Sequence, residues 1–229
     1  AASGALRAGA GMVVVSSPTI NLQSHDMPPE AVQRKITAAT LVPEVLKDLD
    51  RFAALLIGPG LGTDPETVAM TAELIERSPI PTVVDADGLT AVATHPTCVT
   101  RSASTTVLTP HDGEFEKLTG SPPALDRCAA VRSAAKNSAV LLKGPTTLVS
   151  DTNGDLIFVR HAHQRLATAG TGDVLTGIIG AVIRNTPIHL AAAAAAHWHG
   201  QAAQLAQSDM TASDLPLLLQ SARSEMLTK

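Results

Sequence analysis

Three observations predict an α/β fold with a mostly parallel central sheet. Short apolar runs rich in β-branched residues recur along the chain: "MVVVS" (12–16), "AALLIG" (53–58), "TVVDA" (82–86), "TTVLT" (105–109) and "AVLLK" (139–143). The stretches between them carry helical period, and strands apolar on both faces that alternate with helices belong between two helical layers. The segment "TTLVSDTNGDLIFVR" (146–160) breaks this rhythm, because Asn153-Gly154 between two β-rich runs signals a hairpin. The expected architecture is a three-layer α/β/α domain whose parallel sheet ends in an antiparallel edge hairpin.

The elements follow in order. The polar segment from Ser16 to Lys35, with Pro18, Pro28 and Pro29, is expected to be the mobile loop. "PETVAMTAELIERS" (65–78) opens with Pro65 in the first helical position after Asp64, and Val68, Leu74 and Ile75 form its apolar stripe. After the hairpin come helices near 171–184, 188–206 and 213–226. The run Ala191 to Ala196 reads as a tightly packed helix, and Thr211 or Ser213 is expected to cap the last one.

Composition bounds the function. A chain of 229 residues is long enough for one large core, and nothing in it forces a division into two domains. A net charge of -4 argues against nucleic acid as a partner. Cys98 and Cys128 form no Cys-x-x-Cys pair, which fits a reduced, cytoplasmic compartment better than a disulfide scaffold. No apolar run reaches membrane-spanning length, so no membrane association is expected. With 3 Phe, 1 Trp and no Tyr, a bound ring must be held mainly by aliphatic contacts and backbone hydrogen bonds.

Ligands of such sheets bind beyond the carboxyl ends of the strands. "GPGLG" (58–62), "DADG" (85–88), "TPHDGE" (109–114) and "KGPTT" (143–147) each follow a predicted strand, and "AGTGD" (169–173) opens a helix. Successive backbone N–H groups in a glycine-rich turn at a helix start form an anion nest, to which the helix dipole adds. Asp173 would repel a phosphate unless it takes a proton from a hydroxyl attacking that phosphate. Taken singly, each cluster reads as a turn or cap: "DADG" as turn aspartates, His111 as a loop histidine, Lys143 as a surface lysine. Four such clusters directly after strands, with a fifth before a helix, are far harder to explain as structure alone. "HAH" (161–163) and "HWH" (197–199) lack a companion carboxylate or cysteine at useful spacing, so metal binding is not expected there.

With these clusters in place, the sequence resembles the ADP/ATP-dependent NAD(P)H-hydrate dehydratase family, a branch of the ribokinase-like fold. The resemblance rests on "ALRAGAGMV" (5–13), "IGPGLG" (57–62), "VVDADGL" (83–89), "LTPHDGEFEKLTG" (108–120), "VLLKGPTTLV" (140–149), "LATAGTGDVLTGIIG" (166–180) and "HGQAAQLA" (199–206). It implies a lyase of metabolite repair, which phosphorylates the 6-hydroxyl of (6S)-NADHX or NADPHX and then expels phosphate to regenerate NADH or NADPH. ADP or ATP is the implied donor, with AMP the by-product of ADP, and magnesium is the implied metal.

Site roles carry over residue by residue. Lys143, Gly144, Pro145, Thr146 and Thr147 match the nucleotide-binding stretch, while Gly170, Thr171 and Gly172 match the anion hole, Gly172 also lying near the nucleotide. Asp173 matches the catalytic base and, with His111, Gly60 and Gly62, the contacts to hydrated nicotinamide; Glu114 is expected to organise magnesium through water. Pro145 stands where alanine is common and removes one backbone donor, so weaker ADP affinity is expected. Family members normally begin with a glycine-rich strand, a turn and a small-residue helix. This sequence, read as a single domain over 1–229, starts within that helix, so the usual first strand and part of the substrate site are expected to be missing. The relatives' oligomers imply a homo-oligomer, with a tetramer the named candidate. The rival functions are a small-molecule kinase of the same fold and a non-catalytic adenine-nucleotide sensor.

Overall fold

The computed structural model describes residues 1–17, 27–100, 105–123, 125–160, 163–184, 186–207 and 209–228. Its central sheet has six strands in sequential order: β3 (Leu55–Ile57), β4 (Thr82–Val84), β5 (Thr106–Leu108), β6 (Ala139–Leu142), β7 (Thr147–Ser150) and β8 (Leu156–Val159). β3 to β6 pair in parallel, and β7 and β8 close that edge as antiparallel neighbours. The hairpin forms where Asn153-Gly154 predicts it, with Gly154 at φ 87°. Asp151 completes the turn by accepting hydrogen bonds from the amides of Asn153 and Asp155 at 3.0 and 2.9 Å.

Alternation along the strands divides the core in two. Val83, Val107, Leu141 and Val149 face one layer, while Val84, Leu108, Val140, Leu142 and Leu148 face the other. The second layer holds α2 (Leu41–Leu46), α3 (Pro65–Arg77), α4 (Asp87–Thr94), α5 (Asp112–Thr119) and α6 (Arg127–Ala134). The first is made from α1 (Ala2–Arg7), α7 (Thr171–Val182), α8 (Ile188–Gln204) and α9 (Leu215–Leu227). Crossovers that return to the same side thus cover one face, and α1 together with the helices after the hairpin covers the other.

Local signals placed several elements well. Asp64 caps α3 by accepting from Thr67 N at 3.0 Å, Pro65 is its first residue, and Val68, Leu74 and Ile75 are buried. α1 lies so close against α7 that a Cβ on Gly177 would overlap the backbone of Ala1. No helix among the described residues is long and apolar enough to cross a membrane.

Three expectations need correction. The 12–16 run yields β1 (Val14–Ser17), which pairs in parallel with β2 (Val32–Lys35) as a separate two-stranded sheet rather than joining the central one. The segment expected to be a mobile loop therefore contains a strand at each end, and its residues 18–26 lie outside the described ones. At the last helix Asp214 is the N-cap residue, and the amide and hydroxyl of Thr211 both donate to its carboxylate, at 2.9 and 2.8 Å.

Candidate active site at the carboxyl edge of the sheet

Because β3 to β6 run in parallel, their carboxyl ends open on one edge, where the sequence clusters converge. Gly58, just beyond β3, has φ 130°, and a Cβ there would overlap the carbonyl of Asp85 at the end of β4. The loop holding Gly60 and Gly62 is tied to the start of α4 by Gly62 N donating to Asp87 Oδ2 at 2.9 Å. Ala86 has φ 49°, an unusual conformation for a residue with a side chain, and it turns the chain directly after Asp85.

Asp85 anchors this edge. It is 1% exposed; its Oδ1 accepts from Lys143 Nζ at 2.8 Å and its Oδ2 from the Thr176 hydroxyl at 2.7 Å. Burial pushes its pKa up, but the Lys143 ammonium and the bonds from Lys143, Thr176 and Thr109 outweigh it and hold the carboxyl below its ordinary value. A strand end on β4, a strand end on β6 and a helix on the opposite layer are thereby joined. Lys143 Nζ also lies 3.5 Å from Glu114 Oε2 and 3.3 Å from the position a Cβ would take on Gly172. An ammonium thus borders the first turn of α7.

The start of α5 is a closed cap. His111 Nδ1 accepts from Gly113 N and Glu114 N at 3.0 and 3.2 Å, and Glu114 Oε2 accepts from His111 N at 2.8 Å. With Nδ1 an acceptor, the neutral ring carries its proton on Nε2. Beside it, Arg127 bonds Asp112 at 2.8 Å and the Lys143 carbonyl at 3.2 Å, and its guanidinium abuts Gly144.

The start of α7 has a different character. Gly170, at φ 85°, occupies the N-cap position without a side-chain cap. The Thr171 hydroxyl reaches back to the carbonyls of Leu166 and Thr168 at 2.7 and 2.8 Å, and the Thr171 carbonyl is 2.9 Å from Nε2 of His199 on α8. Asp173, half-buried, has its pKa raised. Burial is the main cause; the Asp85 carboxylate adds to it, Lys143 opposes it and Glu114 adds to it.

The structure therefore brings Lys143, Glu114, His111, Gly172 and Asp173 into one neighbourhood. Gly144, Pro145 and Thr146 form the turn from β6 into β7, on which Thr147 is buried. Gly60 and Gly62 connect to it through α4. Among the described residues no group of three or more His, Cys, Asp or Glu could hold a metal ion. Of the two histidine pairs, His161 lies outside the described residues, and His163, His197 and His199 form no such group. Sequence reading counted "DADG" among the clusters after strands without giving Asp85 a role, weighed His199 only as a metal ligand, and did not single out Arg127 or Thr176. The signal for Asp85 was its place directly after a fully apolar strand; the other three lie far away in sequence.

Comparison with known proteins identifies the family and the fold. The family model described as NAD(P)H-hydrate dehydratase matches residues 1–224. A bifunctional NAD(P)H-hydrate repair enzyme of Moorella thermoacetica is 36% identical over 253 aligned positions, covering 100% of this chain and 47% of its own length. The chain spans less than half the length of the curated relatives it matches. Among solved structures, the ADP/ATP-dependent NAD(P)H-hydrate dehydratase of Bacillus subtilis, co-crystallised with ATP/Mg2+ and soaked with CoA, superposes with a TM-score of 0.77 at 25% identity over 98% of this chain and 84% of that one. A ribokinase-like superfamily protein of Enterococcus faecalis shares the fold, with a TM-score of 0.78 at 23% identity over 96% of this chain and 81% of that one. The chain belongs to the NAD(P)H-hydrate dehydratase family.

Proposed function

We propose that this chain dehydrates (6S)-NADHX or NADPHX to NADH or NADPH at the expense of ADP or ATP, with Asp173 as the catalytic base. The observation that carries this reading is the first turn of α7. An uncapped helix start with Gly170 and Gly172 adjoins the Lys143 ammonium, and a carboxylate of raised pKa lies in the same turn. Helix dipole, amides and ammonium all favour the transferred phosphoryl group, while a carboxylate poised nearer neutrality is suited to remove a proton.

The steps balance without further reactants. The 6-hydroxyl gives its proton to Asp173 and its oxygen attacks the terminal phosphorus, releasing AMP from ADP or ADP from ATP. The ring nitrogen's lone pair then expels phosphate as the C6–O bond breaks, and loss of a proton from C5 restores the ring double bond. Gly170, Thr171 and Gly172 line the anion hole, the Lys143–Thr147 turn holds the nucleotide, and His111, Gly60 and Gly62 contact the nicotinamide. Glu114, 18% exposed in its side chain, suits a magnesium ion bound mainly by waters and phosphate oxygens, where the metal would spread the charge of the transferring group.

We further read the chain as one domain working as a homo-oligomer in a reduced cytoplasm. Free Cys98 and Cys128 support the compartment. The test is a turnover assay with magnesium and hydrated NADH, comparing ADP, ATP and no nucleotide. Nucleotide-dependent NADH with phosphate release is expected. A stable phosphorylated product would indicate a kinase, and nucleotide binding without turnover a sensor.

A further inference from the structure

His199 is a buried titratable group that the reaction above leaves unused. It is 5% exposed, within α8, and burial pushes its pKa down to about 4, so the ring is neutral throughout the working range. A carbonyl oxygen only accepts, so the 2.9 Å contact with Thr171 O places the ring proton on Nε2. The acceptor belongs to the peptide between Thr171 and Gly172. In a planar trans peptide the C=O and the following N–H point in opposite directions, so fixing the Thr171 oxygen fixes the aim of the Gly172 N–H. Donation to the oxygen also polarises the amide and strengthens its N–H as a donor. Thr171 itself is held by its side-chain hydroxyl, which donates to Leu166 O and Thr168 O.

We propose that His199 is a positioning residue for phosphoryl transfer: from behind α7 it orients and polarises the Gly172 amide, which meets the transferred phosphate from the front. This rests on the proposed reaction for its consequence, but its geometry does not depend on it. The imidazole contributes no proton; it acts through one peptide plane. Nothing else about the ring requires a histidine, since its tip must only present an N–H at the right reach.

Two variants separate positioning from packing. His199→Phe keeps a ring and removes the donor, whereas His199→Gln restores an N–H at comparable reach. For His199→Phe we expect kcat to fall about tenfold, less than direct loss of an oxyanion donor, with KM for hydrated NADH within about twofold and the pH profile unshifted. His199→Gln should recover most of kcat. The Gly172 amide, followed by 1H–15N NMR in the protein without ligand, should move upfield in His199→Phe and stay near its wild-type position in His199→Gln. An unmoved Gly172 amide in His199→Phe overturns the proposal, as does an equal loss of kcat in both variants. If wild-type protein turns over with no nucleotide, the proposed reaction fails, while the Gly172 amide still decides the role of His199.

Discussion

Two helix starts face this site, and they handle their free amides in opposite ways. α5 satisfies its own: His111 accepts from two amides and Glu114 returns the bond, so the turn is complete without a ligand. α7 has glycine at its N-cap position, no side-chain cap and a carboxylate of raised pKa in its first turn. A helix start that has spent its amides locally offers fewer to a ligand; at α7 Thr171 N donates to Thr168 O at 3.3 Å, and with no side-chain cap the next amides of the turn stay available to an anion. Both stretches combine glycine, one aspartate and one threonine hydroxyl on paper. The difference supports the proposal that places proton removal and phosphoryl transfer at α7.

The comparison breaks first at Asp173. Asp173→Asn should lower kcat about 10²- to 10⁴-fold while nucleotide affinity stays within a few-fold, measured by turnover and calorimetry. Near-normal turnover would remove Asp173 from the mechanism. Its raised pKa has a second consequence. The folded state binds this proton more tightly than the unfolded chain, so the ionised group costs stability as pH rises through its folded pKa. Asp173→Asn should therefore melt slightly higher than wild type at pH 7, by calorimetry.

Next in size is the pair behind α7. Lys143→Met leaves Asp85 buried without its cation and should cost about 3 kcal/mol in urea denaturation, with activity lost as well. Asp85 has a lowered pKa, so its contribution is present above the ordinary carboxylate range and is lost as pH falls through the folded pKa. Without Lys143, burial acts with less opposition, and acid unfolding should begin at a higher pH. Equal acid profiles for variant and wild type would show that the pair does not set this limb.

Smaller effects sharpen the contrast. Gly172→Ala places a methyl 3.3 Å from Lys143 Nζ and should reduce kcat about tenfold or more with little change in melting temperature. His111→Asn keeps an N-cap acceptor but loses the ring, so stability should hold within about 0.5 kcal/mol while KM for the hydrated cofactor rises several-fold. An unchanged KM would make His111 a cap and nothing more.

Periodicity and turn chemistry made much of this legible. The alternation of β-branched runs with helical stretches announced β3 to β6, and Asn153-Gly154 announced the hairpin, because these signals depend on neighbours only a few residues apart. β1 carries the same apolar signature, yet it pairs with β2 in a separate sheet; partner choice is not written into a strand's own composition. At the site, the glycine-rich turn and Asp173 were readable from spacing. The partners of Asp85 were not, since Lys143 is 58 positions away and Thr176 is 91.

By itself, then, the sequence determined the strands of the central sheet, α3 and the three closing helices, though not β2, and also where the sheet changes direction and which residue types cluster after each strand. These follow from backbone preference and side-chain period. Only the tertiary structure decided that Asp85 holds Lys143, that His111 Nδ1 caps α5, and that His199 reaches the Thr171 carbonyl. Each of those depends on which distant groups burial brings together, because a buried charge or amide must find its partner in space rather than along the chain.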